Sequence, residues 1–507
     1  MERKKIDRSK IKIVADSFLV GLFAGIVVSS FRWLIQHGLL IWKRMYQLSV
    51  NWPNALFLLV VILLVAGIVG HLIKGHSHIM GSGIPEVELQ LSGQLSLKAF
   101  PLLWRKYIAG VLMISSGGML GREGPSIQLG SLVGQWYAEG RHLDEQRWRL
   151  MIAAGASAGL SAAFGAPLAG AMFILEEVAH SFSLLLWLSA LSSALAADLV
   201  SEQVFGLKPV LDVVYTHTLP LQYFWLLIPL GILLGLLGRL YQVVTLNMPR
   251  LYSKIPWLPR RYHGGIMLLL IWPLGILWPA VIGGGNDVIK LLGTHRWTLL
   301  FLLGVVLVRF IYSAISFGSG VPGGIFLPIL ALGAAIGALI ATLAVSFHLM
   351  PNMYIPNLII VSMAGYFAGI SKSPFTAIIL ITEMVGSIIH LLPLIIVALI
   401  AYLMVDWLGG SPIYNALASQ IALKNQISTP AAKLDELTIT ISPASLIAGK
   451  EVRGVDWPAG VILTRVHRHN RELVANGDLT LAVGDQLTLL FDSNHRPKIN
   501  QFKETYL

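Results

Sequence analysis

Residues 121–125 read Gly-Arg-Glu-Gly-Pro, and they set an ionisable side chain, Glu123, among helix-breaking residues. A carboxylate at membrane depth costs about 3 kcal/mol on insertion scales, so where one occurs it marks a functional site. The surrounding chain is built for that depth. Its 507 residues are 55% hydrophobic and 12% charged, with a mean hydropathy of +0.72, far outside the soluble range. The sequence reads as an all-α polytopic membrane protein. Apolar runs that satisfy the ~20-residue spanning rule occur at 14–40, 55–74, 99–120, 222–247, 264–283, 298–317 and 389–408. Shorter runs at 126–137, 151–164, 166–175, 327–346 and 358–370 are glycine-rich or bounded by Gly and Pro. Their composition predicts discontinuous or half-spanning helices, the elements from which transport sites are built.

The net charge of +11 would suggest nucleic acid in a soluble protein. Here the basic residues flank apolar spans, so the lipid bilayer is the partner and nucleic acid is excluded. Arg3, Lys4, Lys5, Arg8, Lys10 and Lys12 precede the first span, and Arg250, Lys254, Arg260 and Arg261 lie between two later ones. Both segments are expected on the cytoplasmic side, with the first span retained rather than cleaved. The chain has no cysteine, which excludes disulfides, thiol redox chemistry and cysteine metal sites. His76 and His78 stand two apart, but without further ligands they read as loop residues rather than a metal site. No metal and no cofactor is expected.

The membrane part, residues 1–424, repeats itself. Pro125 and Pro328 are 203 residues apart, and the same offset pairs Gly117 with Gly320, Gly121 with Gly324, Gly130 with Gly333 and Gly134 with Gly337. Ala154-Gly155 and Ala158-Gly159 pair with Ala364-Gly365 and Ala368-Gly369 at offset 210, and Pro167 and Glu176 with Pro374 and Glu383 at offset 207. Two homologous halves, about 14–200 and 220–408, follow, with sites expected at their interface. The offsets alone leave open whether the halves are inverted.

The repeat sorts the acids. Glu176 and Glu383 are counterparts and therefore structural candidates, whereas Glu123 faces Phe326 and Glu177 faces Met384. The unmatched pair, Glu123 and Glu177, are the candidate functional carboxylates. The blander alternatives are a helix cap for Glu123 and an interfacial surface residue for Glu177.

Three glycine-rich loops, 81–85, 121–125 and 318–328, can each open a helix. Glycine lets backbone approach a ligand, proline suits the first helical turn, and the free N–H groups with the helix dipole favour an anion. An anion held by partial charges and hydroxyls binds weakly enough to leave again, as transport requires. A phosphate loop is excluded because no Gly-Lys-Ser/Thr follows these glycines. Many of the 49 glycines are expected simply to let helices touch.

From about residue 425 charges return and short alternating runs appear at 437–441, 461–466 and 486–491, separated by turn signals at Asn476-Gly477-Asp478 and Gly484-Asp485. A small α+β domain over 425–507 is predicted there.

Taken together, Gly81-Ser82-Gly83-Ile84-Pro85, Gly121 to Pro125, Gly323 to Pro328 and the tyrosine after Gly409-Gly410-Ser411-Pro412 resemble the signatures of the CLC chloride channels and chloride/proton exchangers. The resemblance covers about 14–424. It implies a CLC-type inverted repeat of broken, tilted helices, a homodimer with one pore per subunit, and both termini cytoplasmic. It further implies that Ser82 and Tyr414 give hydroxyls to a central chloride and that Ile325 and Phe326 give backbone amides. Gly81, Gly83, Gly121, Arg122, Gly124 and Gly324 would form the anion-loop backbone. Glu123 would be the gate that competes with chloride, and Glu177 the inner proton-transfer acid found in exchangers. Ser82 points to chloride, since nitrate-preferring members resemble this pattern with proline there and fluoride exporters depart from it. Glu86 and Glu88 also match, with Lys106 a possible buried partner for Glu88. The expected function is proton-coupled chloride antiport in a bacterial cell membrane, not catalysis. A passive voltage- or pH-gated chloride channel is the alternative, and a membrane-embedded enzyme a remote one. The tail from about 427 resembles the regulatory C-terminal domain of potassium-uptake proteins, which implies a small cytoplasmic, nucleotide-like ligand.

Overall fold

The computed structural model describes residues 8–207, 211, 217–294, 297–424, 434–442, 445–458, 460–468, 471–492 and 502. The basic residues Arg3, Lys4 and Lys5 and the expected domain junction at 425 lie outside them. Two compact units are present, Met1–Ile421 and Ala422–Leu507.

The first unit is helical: α1 (Arg8–Leu48), α2 (Trp52–Ile73), α3 (Ile84–Leu91), α4 (Ala99–Ser115), α5 (Glu123–Gly140), α6 (Glu145–Phe164), α7 (Pro167–Phe173), α8 (Leu184–Phe205), α9 (Leu227–Tyr252), α10 (His263–Leu277), α11 (Asn286–Thr294), α12 (Leu299–Gly318), α13 (Phe326–Ser346), α14 (Ile355–Ser371), α15 (Pro374–Val385), α16 (Leu391–Trp407) and α17 (Ile413–Lys424). Local chemistry sets the starts. Asp144, Ser183 and Thr298 cap α6, α8 and α12 by accepting from amides three residues on, and Pro occupies the first turn of α2, α3, α7, α14 and α15, where its missing N–H costs nothing.

Seven helical stretches among the described residues are long and apolar enough to cross a membrane, and they revise the expected spans. Phe326–Ser346 and Asn352–Ser371 qualify as full spans rather than half-spans; their glycines serve packing, not interruption. Leu184–Phe205 also qualifies, although no span was expected there, because Ser, Ala, Asp198 and Glu202 dilute its hydropathy. The expected spans at 99–120, 264–283 and 389–408 shrink to the helices α4, α10 and α16.

Helices α1–α8 and α9–α16 repeat the same pairings: α1 packs on α8 as α9 on α16, α5 on α6 as α13 on α14, and α6 on α7 and α8 as α14 on α15 and α16. The glycine pairs at offset 203 explain the tightest of these. A Cβ on Gly130 would stand 2.0 Å from Gly155 O, and one on Gly134 2.0 Å from Met151 O; their counterparts Gly333 and Gly337 would meet Ser362 O at 2.8 Å and Leu358 O at 2.7 Å. Where the halves meet, Gly121 N donates to Gly324 O and Gly324 N to Gly121 O, both at 2.7 Å, in an antiparallel bridge. Equivalent residues that exchange identical hydrogen bonds are related by a local two-fold, which sets the starts of α5 and α13 side by side, the relation an inverted repeat requires.

The second unit holds an antiparallel sheet in the order β1-β4-β2-β3, with β1 (Leu434–Thr440), β2 (Val461–Arg468), β3 (Arg471–Val474) and β4 (Gln486–Asp492). The strands enclose the expected runs 461–466 and 486–491, cover 437–440 of the third, and add β3. Leu487, Leu489 and Phe491 alternate inward along β4 beside Ile439, Val466 and Phe502, as period-two burial requires. The described residues contribute only a 3-10 turn at Val452–Gly454 and the helical residue Phe502 to the expected helical component. Asp485, in the second predicted turn, is fully buried and accepts two 2.7 Å hydrogen bonds from Arg468 and one of 2.8 Å from Ala482 N. That pairing pushes the Arg468 guanidinium further above its ordinary value.

Candidate functional site

The site is built from loops that place helix starts. Gly117 and Gly320, the offset-203 pair, take φ of +93° and +75°, a left-handed conformation that favours glycine; each turns the chain back toward the start of α5 or α13. The loop before α3 is knitted to the one before α13, since Gly81 N donates to Val321 O at 3.1 Å and Gly323 N to Gly81 O at 3.0 Å. Gly83 takes φ +91° as α3 begins, and a Cβ there would stand 2.4 Å from Gln128 Oε1. Gly124 is equally constrained: a Cβ would fall 2.1 Å from Ser82 Oγ. Three helix N-termini, those of α3, α5 and α13, therefore meet in the protein interior, where their free N–H groups sum to a region of positive potential.

Around that region the structure brings together the predicted side chains. Ser82 is 3% exposed, and Tyr414, the second residue of α17, is fully buried; neither hydroxyl has a hydrogen-bond partner among the described residues. Ile325 and Phe326 open α13 and are fully buried. The Phe326 ring packs on Phe164, Phe173 and Phe367 with centroids 5.2, 5.7 and 4.3 Å away, and Phe173 meets Tyr414 edge-on at 6.1 Å. An aromatic wall thus connects the start of α13 to the Tyr414 phenol. Two buried hydroxyls that satisfy nothing in the protein, beside unpaired helix-start amides, form a donor set suited to an anion.

Glu123 is the first residue of α5 and fully buried. A Cβ on Gly121 would fall 2.3 Å from Glu123 Oε2 and 3.1 Å from Leu327 N, so the carboxylate lies against the first turn of α13. Its nearest cation is Arg122, with Nε 3.9 Å from Oε1, beyond hydrogen-bond distance. Glu177 lies in a π-helical turn, Ile174–Val178, 2% exposed, and accepts from Ser373 Oγ at the start of α15. Both unmatched carboxylates are thus interior groups rather than interfacial ones.

The matched acids behave differently. Glu176 accepts from Phe375 N and Thr376 N at 3.1 and 2.7 Å and from Thr376 Oγ1 at 2.7 Å; Glu383 accepts from Leu168 N and Ala169 N at 3.0 and 2.8 Å. Each caps the helix start of the opposite half. Lys106 does not pair with Glu88 as expected: its ammonium donates to Ile79 O and Gly81 O at 3.0 and 2.8 Å, and Glu88 instead approaches His180, with Oε1 3.9 Å from Nε2. The two backbone carbonyls recruit the lysine because they are buried acceptors at the turn before α3. Among the described residues no group of three His, Cys, Asp or Glu could hold a metal ion. Reasoning from sequence missed Ser373, whose counterpart at offset 207 is Ala166; the same asymmetry test that isolated Glu177 isolates it too.

Residues 65–406 match the family described as voltage gated chloride channel. The chain belongs to that family. Residues 437–502 match the TrkA-C domain. Among curated relatives, the H(+)/Cl(-) exchange transporter ClcA of Citrobacter koseri is 30% identical over 455 residues, covering 84% of this chain and 92% of that protein. The transporter of the same name from Klebsiella pneumoniae is 29% identical over 445 residues, 85% and 93% of the two chains. Among solved structures of the family, a slow cyanobacterial Cl-/H+ antiporter superposes with TM-score 0.76 and 28% identity over 82% of this chain and 99% of its own. A eukaryotic CLC transporter (TM-score 0.68, 22% identity, 81% and 74% coverage) and a CLC-type fluoride/proton antiporter (0.64, 23%, 79% and 96%) share the fold.

Proposed function

We propose that this protein is a multi-pass membrane antiporter that exchanges chloride for protons. The observation that carries the reading is the pairing of an anion-ready cradle with a carboxylate set against it: Ser82 Oγ and Tyr414 Oη are buried without partners, and Glu123 lies beside the start of α13. Chloride occupies the cradle, held by those hydroxyls and by the amides of Ile325 and Phe326. Gly81, Gly83, Gly121, Gly124 and Gly324 let backbone come close enough, and the Arg122 backbone continues the loop.

Ionised Glu123 competes with chloride for the positive end of α13. Protonation removes its charge, so the neutral side chain leaves and an anion takes its place; deprotonation returns it. Each cycle moves a proton against an anion because the two negative charges cannot share one site. Glu177, hydrogen-bonded to Ser373, is the second proton acceptor and connects Glu123 to the opposite side. The likeness to H(+)/Cl(-) exchange transporters over most of both chains supports this reading. The protein works as a homodimer in the bacterial cell membrane with both termini cytoplasmic, and the TrkA-C domain takes a small cytoplasmic ligand of nucleotide type that regulates transport.

The test uses purified protein in liposomes, with chloride efflux and proton uptake recorded together. Wild type is expected to pump protons uphill when only a chloride gradient is applied. Chloride flux that reverses at the chloride equilibrium potential regardless of pH would instead make the protein a passive channel. Uncoupled flux in wild type would therefore defeat the exchanger reading.

A further inference from the structure

Arg309 shows what a structural guanidinium looks like in this interior. It is fully buried and donates to the carbonyls of Val281, Gly283 and Gly284 at 3.0, 2.7 and 2.5 Å, which pins the loop before α11. Arg32 and Arg122 are almost as deep, 7% and 4% exposed, yet neither is satisfied. Arg32 Nη1 donates one long bond of 3.4 Å to Ala162 O and Arg122 Nη2 one of 3.4 Å to Ala163 O, against three shorter bonds from Arg309; Nε of all three has no hydrogen-bond partner among the described residues. Their acceptors are consecutive carbonyls at the end of α6, so the two cations stand side by side. The Phe205 ring, 3.9 Å from Arg32 Cζ, fixes the first of them in place.

Two neighbouring cations removed from water and short of acceptors are unfavourable unless an anion is shared between them. Glu123 and Asp198 face Arg32, and Glu123 faces Arg122, but among the described residues no carboxylate reaches hydrogen-bond distance of either guanidinium. Among the described residues Arg32 has no ion pair within 4.0 Å, and the only one of Arg122 is Glu123 at 3.9 Å. Both arginines line one cavity of about 610 Å³, which Leu327 of the Glu123 site also borders. Of the carboxylates on that cavity, Asp287 is held by Lys43 at 2.5 Å and Glu383 caps α7. Asp198, which faces Arg32, and Glu202 remain, neither within 4.0 Å of an arginine nitrogen among the described residues, and Lys290 adds a further positive charge.

We propose that Arg32 and Arg122 form an anion-binding site in this vestibule, one step outside the Glu123 gate, that takes a small monovalent anion. The inference rests on Glu123 being the gate. Asp198 and Glu202 set the charge class, since they repel a divalent anion while two guanidiniums still attract a monovalent one. When Glu123 is neutral and turned away, Arg122 loses its nearest carboxylate and the vestibule anion becomes its counterion, placed to enter the cradle.

Anomalous diffraction from crystals of the full chain soaked in bromide tests this. Wild type is expected to show a vestibule peak within hydrogen-bonding reach of both guanidiniums, together with a peak between Ser82 and Tyr414. Arg32→Gln removes the vestibule peak, and its cradle peak reports that the variant is folded. An empty vestibule beside an occupied cradle overturns the inference; an occupied vestibule beside an empty cradle upholds it and overturns the cradle instead. In liposomes, Arg32→Gln raises the chloride half-saturation on the vestibule side about tenfold, the loss of one charged hydrogen-bond donor, and Arg32→Lys raises it less. An unchanged half-saturation in Arg32→Gln also overturns the inference.

Discussion

The two halves of the membrane unit share a backbone plan and differ in a few side chains at its centre. At offset 203 one half carries Glu123 and the other Phe326; at offset 207 one carries Glu177 and the other Met384, while Ser373 stands opposite Ala166. Where the halves agree, as in Glu176 and Glu383, the acids do symmetric mechanical work by capping each other's short helices. Where they disagree, the side chains are buried at the centre, Glu177 and Ser373 bonded only to each other's side chain across the halves. Symmetry therefore identifies scaffold, and its local failure marks the candidate chemistry.

Breaking the central asymmetry has the largest expected effect. Glu123→Ala leaves the cradle donors in place while removing the proton-bearing competitor, so chloride flux continues and chloride-driven proton uptake falls to background in a liposome assay. Glu177→Gln comes next: proton uptake drops by about two orders of magnitude, the lower end of the usual range for a proton-transfer group, and chloride flux persists. If coupling survives in either variant, that residue is not part of the proton path.

The scaffold offers a sharper comparison between equivalent positions. Gly130→Ala forces a Cβ to within 2.0 Å of a backbone oxygen, but Gly333→Ala only to within 2.8 Å. Overpacking of this kind costs about 3 kcal/mol at the first site and about 1 kcal/mol at the second, read as midpoints of thermal unfolding in detergent. Equal losses would mean that the halves are packed alike. Glu176→Gln and Glu383→Gln, by contrast, are expected to match each other, each losing about 1 kcal/mol of capping. The smallest effect belongs to Ser373→Ala, which removes one hydrogen bond to Glu177 and lowers proton transport by about fivefold, equivalent to about 1 kcal/mol; chloride half-saturation is the control that should not move.

Legibility in the sequence followed how strictly each position is constrained. Gly117, Gly320, Gly130 and Gly134 recur at fixed offsets because a left-handed turn or a backbone contact admits little else, so the repeat, the three loops and the side chains that meet at them could be read before any coordinates. The inversion could not, because it depends on the Gly121–Gly324 pairing across space. The α8 span was hidden by Asp198 and Glu202, residues that face a cavity rather than lipid. Ser373 looks like an ordinary helix-start serine until Glu177 is seen against it. Arg32 was legible in principle, as a lone cation far inside a 41-residue helix, but its neighbour Arg122 is brought to it only by the carbonyls ending α6. In the C-terminal unit alternation gave three strands correctly, while β3 is four residues long and carries too short a pattern to register.

The reciprocal Gly121–Gly324 hydrogen bonds also impose an order on synthesis. The first partner leaves the ribosome 203 residues before the second, a delay of about 10–40 s at ordinary elongation rates of ~5–20 residues per second. Throughout that interval the start of α5 waits with its backbone groups unmet and Glu123 without its lining. The nascent first half is therefore an incomplete object that the insertion machinery must shelter, and any truncation upstream of residue 324 strands it there as a substrate for membrane proteolysis.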